Sequence, residues 1–342
     1  MAATQDLGRP HRPLIPTDLD PFEQQYLPNM AHTLARGLWI WNTASIITSQ
    51  TGTSQLITGA QQADVTDLYL YTAPESYAST KPQLQTFIAS ATEVGLRVWG
   101  LDGDRAYFGD AAGPSNFYHG IDNLTAYNDA VAPNERFFGF QADNEPSDQG
   151  DYTSFHNGIP DSALSTAPGS GLWQATQALD REMLMRSWLS MHTTAQQVLH
   201  AHGLQFGAAM PWWTENYEGG ELSVSFPGDS NERKGIMKYM MGLVDEFVIM
   251  SYNTDPALAA ARVDAQAAYA STMPAASRPR VYASVEVTQG IGPNISYGDT
   301  AGKDFKTVVM NDVATLTSSL MNYAAFGGIA IHQWSAWETM PT

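Results

Sequence analysis

Asp143 and Glu145 stand two residues apart at the end of an apolar run, in FGFQADNEP (138–146). On an extended chain, residues i and i+2 point to the same side, so two carboxyl groups would face one space. Like charges held close raise the proton affinity of one partner, which prepares a carboxyl to act as a general acid. Cleavage of a glycosidic bond uses this chemistry, with two carboxyls about the scissile bond or one acid aided by the substrate's own acetamido group. The same residues also read as a solvated Asp–Asn–Glu–Pro turn. Glu286, inside the apolar run VYASVEV (281–287), needs a partner if buried and is the candidate second carboxyl.

The elements that must position these acids alternate. Strands are expected at 37–43, 67–72, 96–104, 136–143, 204–211, 245–253, 280–287 and 328–334, from short runs rich in β-branched and aromatic residues. Helical spacing of apolar residues falls between them, at 54–63, 81–95, 123–132, 171–202, 232–244, 256–272 and 304–327. Gly95, Gly203 and Gly327 mark helix-to-strand joints, since Gly suits a helix C-cap. Strand–helix alternation implies parallel pairing with right-handed crossovers. Eight strands, and no G-x-G-x-x-G after the first, favour a single (β/α)8 TIM barrel over a doubly wound sheet. The chain ends soon after the eighth strand, so the final helix is short or missing. Residues 37–342 form the barrel in this reading, and 1–36, rich in Pro and polar residues, form an extension packing on it.

Reactive groups of such barrels lie at the C-terminal strand ends. Read there, the chain offers Trp41, Tyr71, Asp102, Asp104, Gln141, Asp143, Glu145, Trp212, Tyr252, Glu286, Gln333 and Trp334. Acids, amides and aromatic rings on one rim suit a sugar, because rings stack on pyranose C–H faces and carboxylates bond hydroxyls. The catalytic candidates are Glu145, Glu286 and Asp143. The substrate-binding candidates are Tyr252, Trp334, Asn144, Trp212, Asp102, Gln333 and Trp41, with Trp334 as the stacking floor. His332, alone in GIAIHQW, reads as a hydrogen-bonded core residue.

The order of these motifs resembles known families. NEP (144–146) at strand four, Glu286 at strand seven and Trp334 after strand eight resemble the retaining glycosidase clan that includes family 5 cellulases. That resemblance implies Glu145 as acid/base and Glu286 as nucleophile. FGFQADNEP is also similar to the family 18 chitinase motif D-G-x-D-x-D-x-E. Gly139, Asp143 and Glu145 match it, while Phe138 and Gln141 stand where two aspartates would be. MSYN (250–253), AMP (209–211) and Trp334 fit the same family, which implies that Asp143 orients an acetamido group, Tyr252 assists its carbonyl, and Glu286 is not the nucleophile. A third resemblance, closer in wording, is to bacterial barrel domains carrying D-x-E-P, IM-x-Y, G-V-E-T and G-I-A-I-H, here DNEP, IMSY, SVEV and GIAIH; it implies no settled activity.

Charge narrows the partners. With 17 Lys and Arg against 35 Asp and Glu, the net charge is −18 and no basic stripe meets phosphates. Nucleic acid and anionic membranes are disfavoured, and no run nears 18 apolar residues. Cysteine is absent, which excludes disulfides, thiolate metal sites and thiol catalysis. The N-terminus has no apolar signal core, while NLT at Asn123 and NIS at Asn294 match the glycosylation pattern, and secretion is the expectation. The expected function is hydrolysis of an oligo- or polysaccharide with no cofactor and no metal. The alternatives are a carbohydrate-binding barrel without catalysis, and a hydrolase holding a divalent cation on Asp102, Asp104, Asp143, Glu145 and His332.

Overall fold

Ten strands appear in the computed structural model, which describes residues 34–104, 107, 113–145, 178–215, 220–227 and 232–342. They are β1 (Ala35–Ile40), β2 (Asp67–Tyr71), β3 (Arg97–Asp102), β4 (Gly139–Ala142), β5 (Gln205–Pro211), β6 (Ser223–Ser225), β7 (Arg233–Gly235), β8 (Glu246–Met250), β9 (Arg280–Glu286) and β10 (Phe326–His332). Eight of them close into a barrel in the order β1-β10-β9-β8-β5-β4-β3-β2. Every pairing within it is parallel. This is the single (β/α)8 barrel expected from the alternation, and its last helix is the short Trp334–Thr339. Leu34–Thr342 make one compact unit. The proposed 1–36 extension, Pro146, Asp148 and the start of the helix expected from 171 fall largely outside the described residues.

The helical spacing reads well where apolar faces are regular. Leu84, Phe87, Ile88 and Ala91 are buried along Lys81–Glu93, which has Pro82 in its first turn. The chain then turns through Gly95 at φ +85°, and Gly203 repeats this at φ +70° after Ala178–Ala201. A left-handed residue there costs little only for glycine. Gly327 does not follow this pattern. The helix expected over 304–327 runs from Lys306 to Leu320, and Gly327 lies inside β10. Beside it Gly328, at φ +146°, approaches Ala35 so closely that a Cβ would lie 1.8 Å from the Ala35 carbonyl oxygen.

Three other expectations are corrected. The segment 232–244 is not one helix: Arg233–Gly235 pairs antiparallel with Ser223–Ser225, and the helix occupies only Ile236–Met241. Likewise 256–272 is two helices, Pro256–Ala261 and Asp264–Thr272. The helix expected at 123–132 begins ten residues earlier and spans Gly113–Asp129.

Side chains alternate between two cores. Leu38, Ile40, Leu68, Leu70, Phe140, Phe206, Phe247, Ile249, Ile329 and Ile331 join the layer under the helices. Trp39, Tyr69, Trp99, Leu101, Ala209, Val248, Tyr282 and Ala330 fill the barrel lumen. Two hydrogen bonds cross that lumen between strands that are not neighbours. Trp39 Nε1 donates to Gln141 Oε1 at 2.6 Å, and the Tyr69 hydroxyl donates to Glu246 Oε1.

The lower lumen carries charge. Asp67 is fully buried, with Arg97 Nη2 at 2.6 Å, Trp99 Nε1 at 2.9 Å and Thr66 Oγ1 at 2.7 Å. Burial pushes its carboxyl up, but Arg97 and these donors hold it below its ordinary value. At Glu246, burial followed by the charge of Asp67 outweighs the charges of Arg280 and Arg97 and pushes the carboxyl from an ordinary 4.5 up to about 7. A carboxyl raised in the fold binds its proton more tightly there than in the unfolded chain. Its contribution is therefore fully present below pH 4.5 and lost as pH rises through about 7. Urea unfolding of the wild type should show a fall across this window that Glu246→Gln lacks, on the order of 3 kcal/mol. Parallel pH curves for the two proteins would overturn this account.

Candidate active site

Glu286 ends β9 on the lumen face, two residues beyond Ser284 and four beyond Tyr282, and is 2% exposed. Both carboxylate oxygens accept hydrogen bonds. Thr288 N donates to Oε1 at 2.7 Å, and His332 Nδ1 lies 2.7 Å from Oε2. His332 reaches that position because β10 pairs with β9 in a register that sets His332 beside Glu286. Trp41 Nε1 donates to the other ring nitrogen, His332 Nε2, at 2.9 Å. An indole N–H is only a donor, so Nε2 must be the acceptor and Nδ1 must carry the proton. The row Trp41–His332–Glu286 therefore sets one tautomer and points the Nδ1–H at the carboxylate.

Tyr252 follows β8 at the same level, its ring centroid 6.0 Å from that of His332. Burial first, then the charges of Glu286, Asp143 and Glu145 in that order, push its hydroxyl well above its ordinary value. Three carboxyls from two strand ends thus act on one phenol. Ser284 and Ser251 stiffen the floor beneath. Ser251 Oγ donates to the Ser284 carbonyl at 3.0 Å, and Ser284 Oγ donates to the Ile249 carbonyl at 2.7 Å.

Asp143 arrives from β4. Its amide donates to the Asp102 carbonyl at 2.9 Å, and a Cβ at Gly103 would lie 2.2 Å from the Asp143 carbonyl oxygen. A side chain at 103 would push the two strand ends apart. Burial raises the Asp143 carboxyl and outweighs the opposing charge of His332, and among the described residues Oδ1 has no hydrogen-bond partner. Asn144 beside it is 1% exposed, and neither its Nδ2 nor its Oδ1 has a partner among the described residues.

The structure thus brings Glu145, Glu286, Asp143, Tyr252 and Trp41 to one end of the lumen. His332, read from sequence as core, belongs with them. The available signal was that Glu286 and His332 end neighbouring strands. Tyr71 also joins, its ring centroid 5.6 Å from that of Trp41.

Three expected substrate contacts lie elsewhere, and Trp212 stands on the rim outside the lumen. Trp334 is 3% exposed in the layer under the helices, where a Cβ on Gly59 of helix Gln50–Gln62 would sit 2.6 Å from its ring. It opens helix Trp334–Thr339, so its side chain packs outward instead of flooring the lumen. Gln333 caps that helix, with Oε1 accepting from Ser335 N at 3.2 Å and Ser335 Oγ at 2.9 Å. Asp102 follows the outward alternation of β3. It accepts from the Tyr107 hydroxyl at 2.6 Å, and burial pushes it up to about 6. Trp212 lies past the end of β5, 36% exposed, with the Arg262 guanidinium 4.2 Å from its ring centroid. Among the described residues, no three His, Asp or Glu side chains gather as metal ligands, since Asp102 and Asp143 face different sides. Nor is any helix among them long and apolar enough to cross a membrane.

No family model and no curated protein matches the chain. Solved structures do. An exo-β-1,4-mannosidase from Opitutaceae bacterium strain TAV5 is 9% identical over 90% of this chain and 56% of its own, with a TM-score of 0.51. A chitinase from Chromobacterium violaceum is 13% identical over 91% of this chain and 96% of its own, at 0.49. The catalytic domain of a β-amylase from Paenibacillus polymyxa is 9% identical over 92% and 96%, at 0.48. What the chain shares with the mannosidase is the fold, a closed eight-stranded parallel barrel ringed by helices.

The hydrogen-bond row makes a spectroscopic prediction. With nitrogen-15 histidine labels, His332 should show the Nδ1–H tautomer alone. Trp41→Phe removes the donor to Nε2 and should bring in the Nε2–H tautomer. Identical His332 nitrogen shifts in both proteins would show that Trp41 does not set the ring.

Proposed function

We propose that the protein is a glycoside hydrolase acting on an oligo- or polysaccharide, with Glu145 as general acid/base and Glu286 as nucleophile. The observation that carries this reading is the convergence of Glu286, Asp143 and Glu145 on the Tyr252 hydroxyl at the C-terminal mouth of the barrel. A nucleophile must be ionised, and Glu286 has an N–H donor on each oxygen. Each oxygen keeps a second lone pair for attack. One Glu286 oxygen bonds to the anomeric carbon as the glycosidic C–O bond breaks, and the leaving oxygen takes the proton of Glu145. Water then gives a proton back to Glu145, attacks the anomeric carbon and frees Glu286. Asp143 stands two residues before Glu145, and burial raises its carboxyl beside the acid. Tyr252 and Trp41 contact the reacting sugar. A polymer of this kind does not cross membranes, so the site of action is extracellular.

One observation favours a second mechanism for the same activity. The partnerless Oδ1 of Asp143 is available to an acetamido N–H, in which case the substrate supplies the nucleophile and Glu286 supports Tyr252.

Aryl glycosides with and without a 2-acetamido group, and β-1,4-linked oligosaccharides, separate these. Glu145→Gln should lower the rate on unactivated oligosaccharides by about 10²–10⁴-fold with the fold intact by circular dichroism, and full retained rate would remove Glu145 from the chemistry. Glu286→Gln should cost as much if Glu286 is the nucleophile, with the product anomer retained by proton NMR. Activity confined to 2-acetamido sugars and a mild effect of Glu286→Gln would select the second mechanism. Binding without turnover in the wild type would leave a carbohydrate-binding barrel.

A further inference from the structure

A groove of about 650 Å³ lies beside the catalytic mouth, lined by Trp212, Glu215, Glu221, Leu258, Ala261 and Arg262. Its volume is that of a small-ligand site. Trp212 opens the turn Trp212–Glu215 directly after β5, on the same rim as Glu145 and Tyr252. A tryptophan 36% exposed and a leucine 54% exposed share this groove. Arg262 covers one side of the indole at 4.2 Å from the ring centroid, and the same guanidinium donates through Nη1 to the main-chain carbonyl of Tyr252. One side chain therefore joins the groove to the phenol that the three carboxyls surround.

The cations near the groove are engaged. Lys238 pairs with Glu221 at 2.8 Å, and Arg262 lies over the Trp212 ring and donates to the Tyr252 carbonyl. Glu215 stands among the charges of Glu221, Lys238 and Asp264, in that order of effect. With carboxylates on its lining and its cations engaged, the groove suits an uncharged ligand better than an anion. Glu215 makes no side-chain hydrogen bond among the described residues and is available to a hydroxyl. An aromatic face, an apolar neighbour and an unengaged carboxylate are the complement of a pyranose, which shows C–H bonds on one face and hydroxyls at its edge.

We propose that this groove is a second sugar subsite, which takes an uncharged sugar unit of the same chain whose reacting unit lies over Tyr252. Trp212 stacks on that unit, Glu215 accepts from its hydroxyl, and Arg262 sets the indole relative to Tyr252. The protein then selects oligosaccharides by length. The catalytic part of this inference rests on the glycoside hydrolase reading, but the subsite itself is a binding property.

The test is therefore made by calorimetry on Glu145→Gln, with β-1,4-linked glucose, mannose and N-acetylglucosamine ladders from di- to hexasaccharide. In the series that binds, affinity should rise with length. Adding Trp212→Ala should cause a loss that grows with length, reaching about tenfold at the hexasaccharide, and Trp212→Phe should recover part of it. A loss equal at all lengths would mean that Trp212 only props Tyr252 through Arg262, and would overturn the subsite. So would no loss at any length, or no binding in any ladder. Length-dependent binding that falls with Trp212→Ala, in a protein whose wild type cleaves nothing, keeps the subsite and discards the hydrolase. Cleavage whose length dependence ignores Trp212 does the reverse.

Discussion

A carboxylate taken out of water must be met by hydrogen-bond donors, and the upper lumen is arranged around meeting that need at Glu286. One donor, Thr288 N, comes from the turn that follows β9. The other, His332 Nδ1, comes from the neighbouring strand by register. The far nitrogen of the imidazole accepts from Trp41, just past β1, which leaves Nδ1 as the donor to the carboxylate. Barrel closure is what makes this possible. In the closed sheet β1 pairs with β10, with Leu38 beside Ile331, so Trp41 rises next to His332. In an open sheet the first and last strands would lie at opposite edges and the row would be broken.

Below that row the lumen changes character in layers. At the bottom, Asp67 and Arg97 form a buried pair with Trp99. Higher up the groups are neutral: Trp39 on Gln141, and the serine hydroxyls that tie β8 to β9. Paired charge can be buried deep because each partner lowers the cost of the other. Neutral dipoles separate it from the carboxyls of the mouth. Glu246 is the exception, a carboxyl that burial and the charge of Asp67 raise against the pull of Arg280 and Arg97.

The barrel was legible because its strands are short apolar runs separated by regular helical faces, a pattern that depends on burial and survives without knowledge of contacts. Asp143, Glu145, Glu286 and Tyr252 were legible because they end such runs. Trp334 was misplaced for a local reason. It lies two residues past His332, but the chain has left the strand there, and period-two alternation no longer tells which way a side chain points. Asp102 shows the opposite limit. It does end a strand, but on the outward parity that begins at Val98 and Gly100. His332 was misjudged because a lone imidazole in an apolar strand has no visible partner in its own segment; its partner is 46 residues away. The hairpin of β6 and β7 has three-residue strands, too short for any period to register.

Two acids with similar sequence surroundings end with different hydrogen-bond partners, and this divergence supports the division of labour in the proposed reaction. Asp143 and Glu286 each close a buried strand. Glu286 has both oxygens met by N–H groups, which stabilise its anion. Asp143 has an oxygen with no partner, and burial disfavours its anion. Neither state follows from the residue type or from its neighbours along the chain. Each follows from what the adjacent strand delivers at that height: β10 brings His332 to Glu286, while β3 brings Asp143 only a main-chain carbonyl for its amide. A barrel can give two carboxyls different surroundings at one height by placing them on strands with different neighbours.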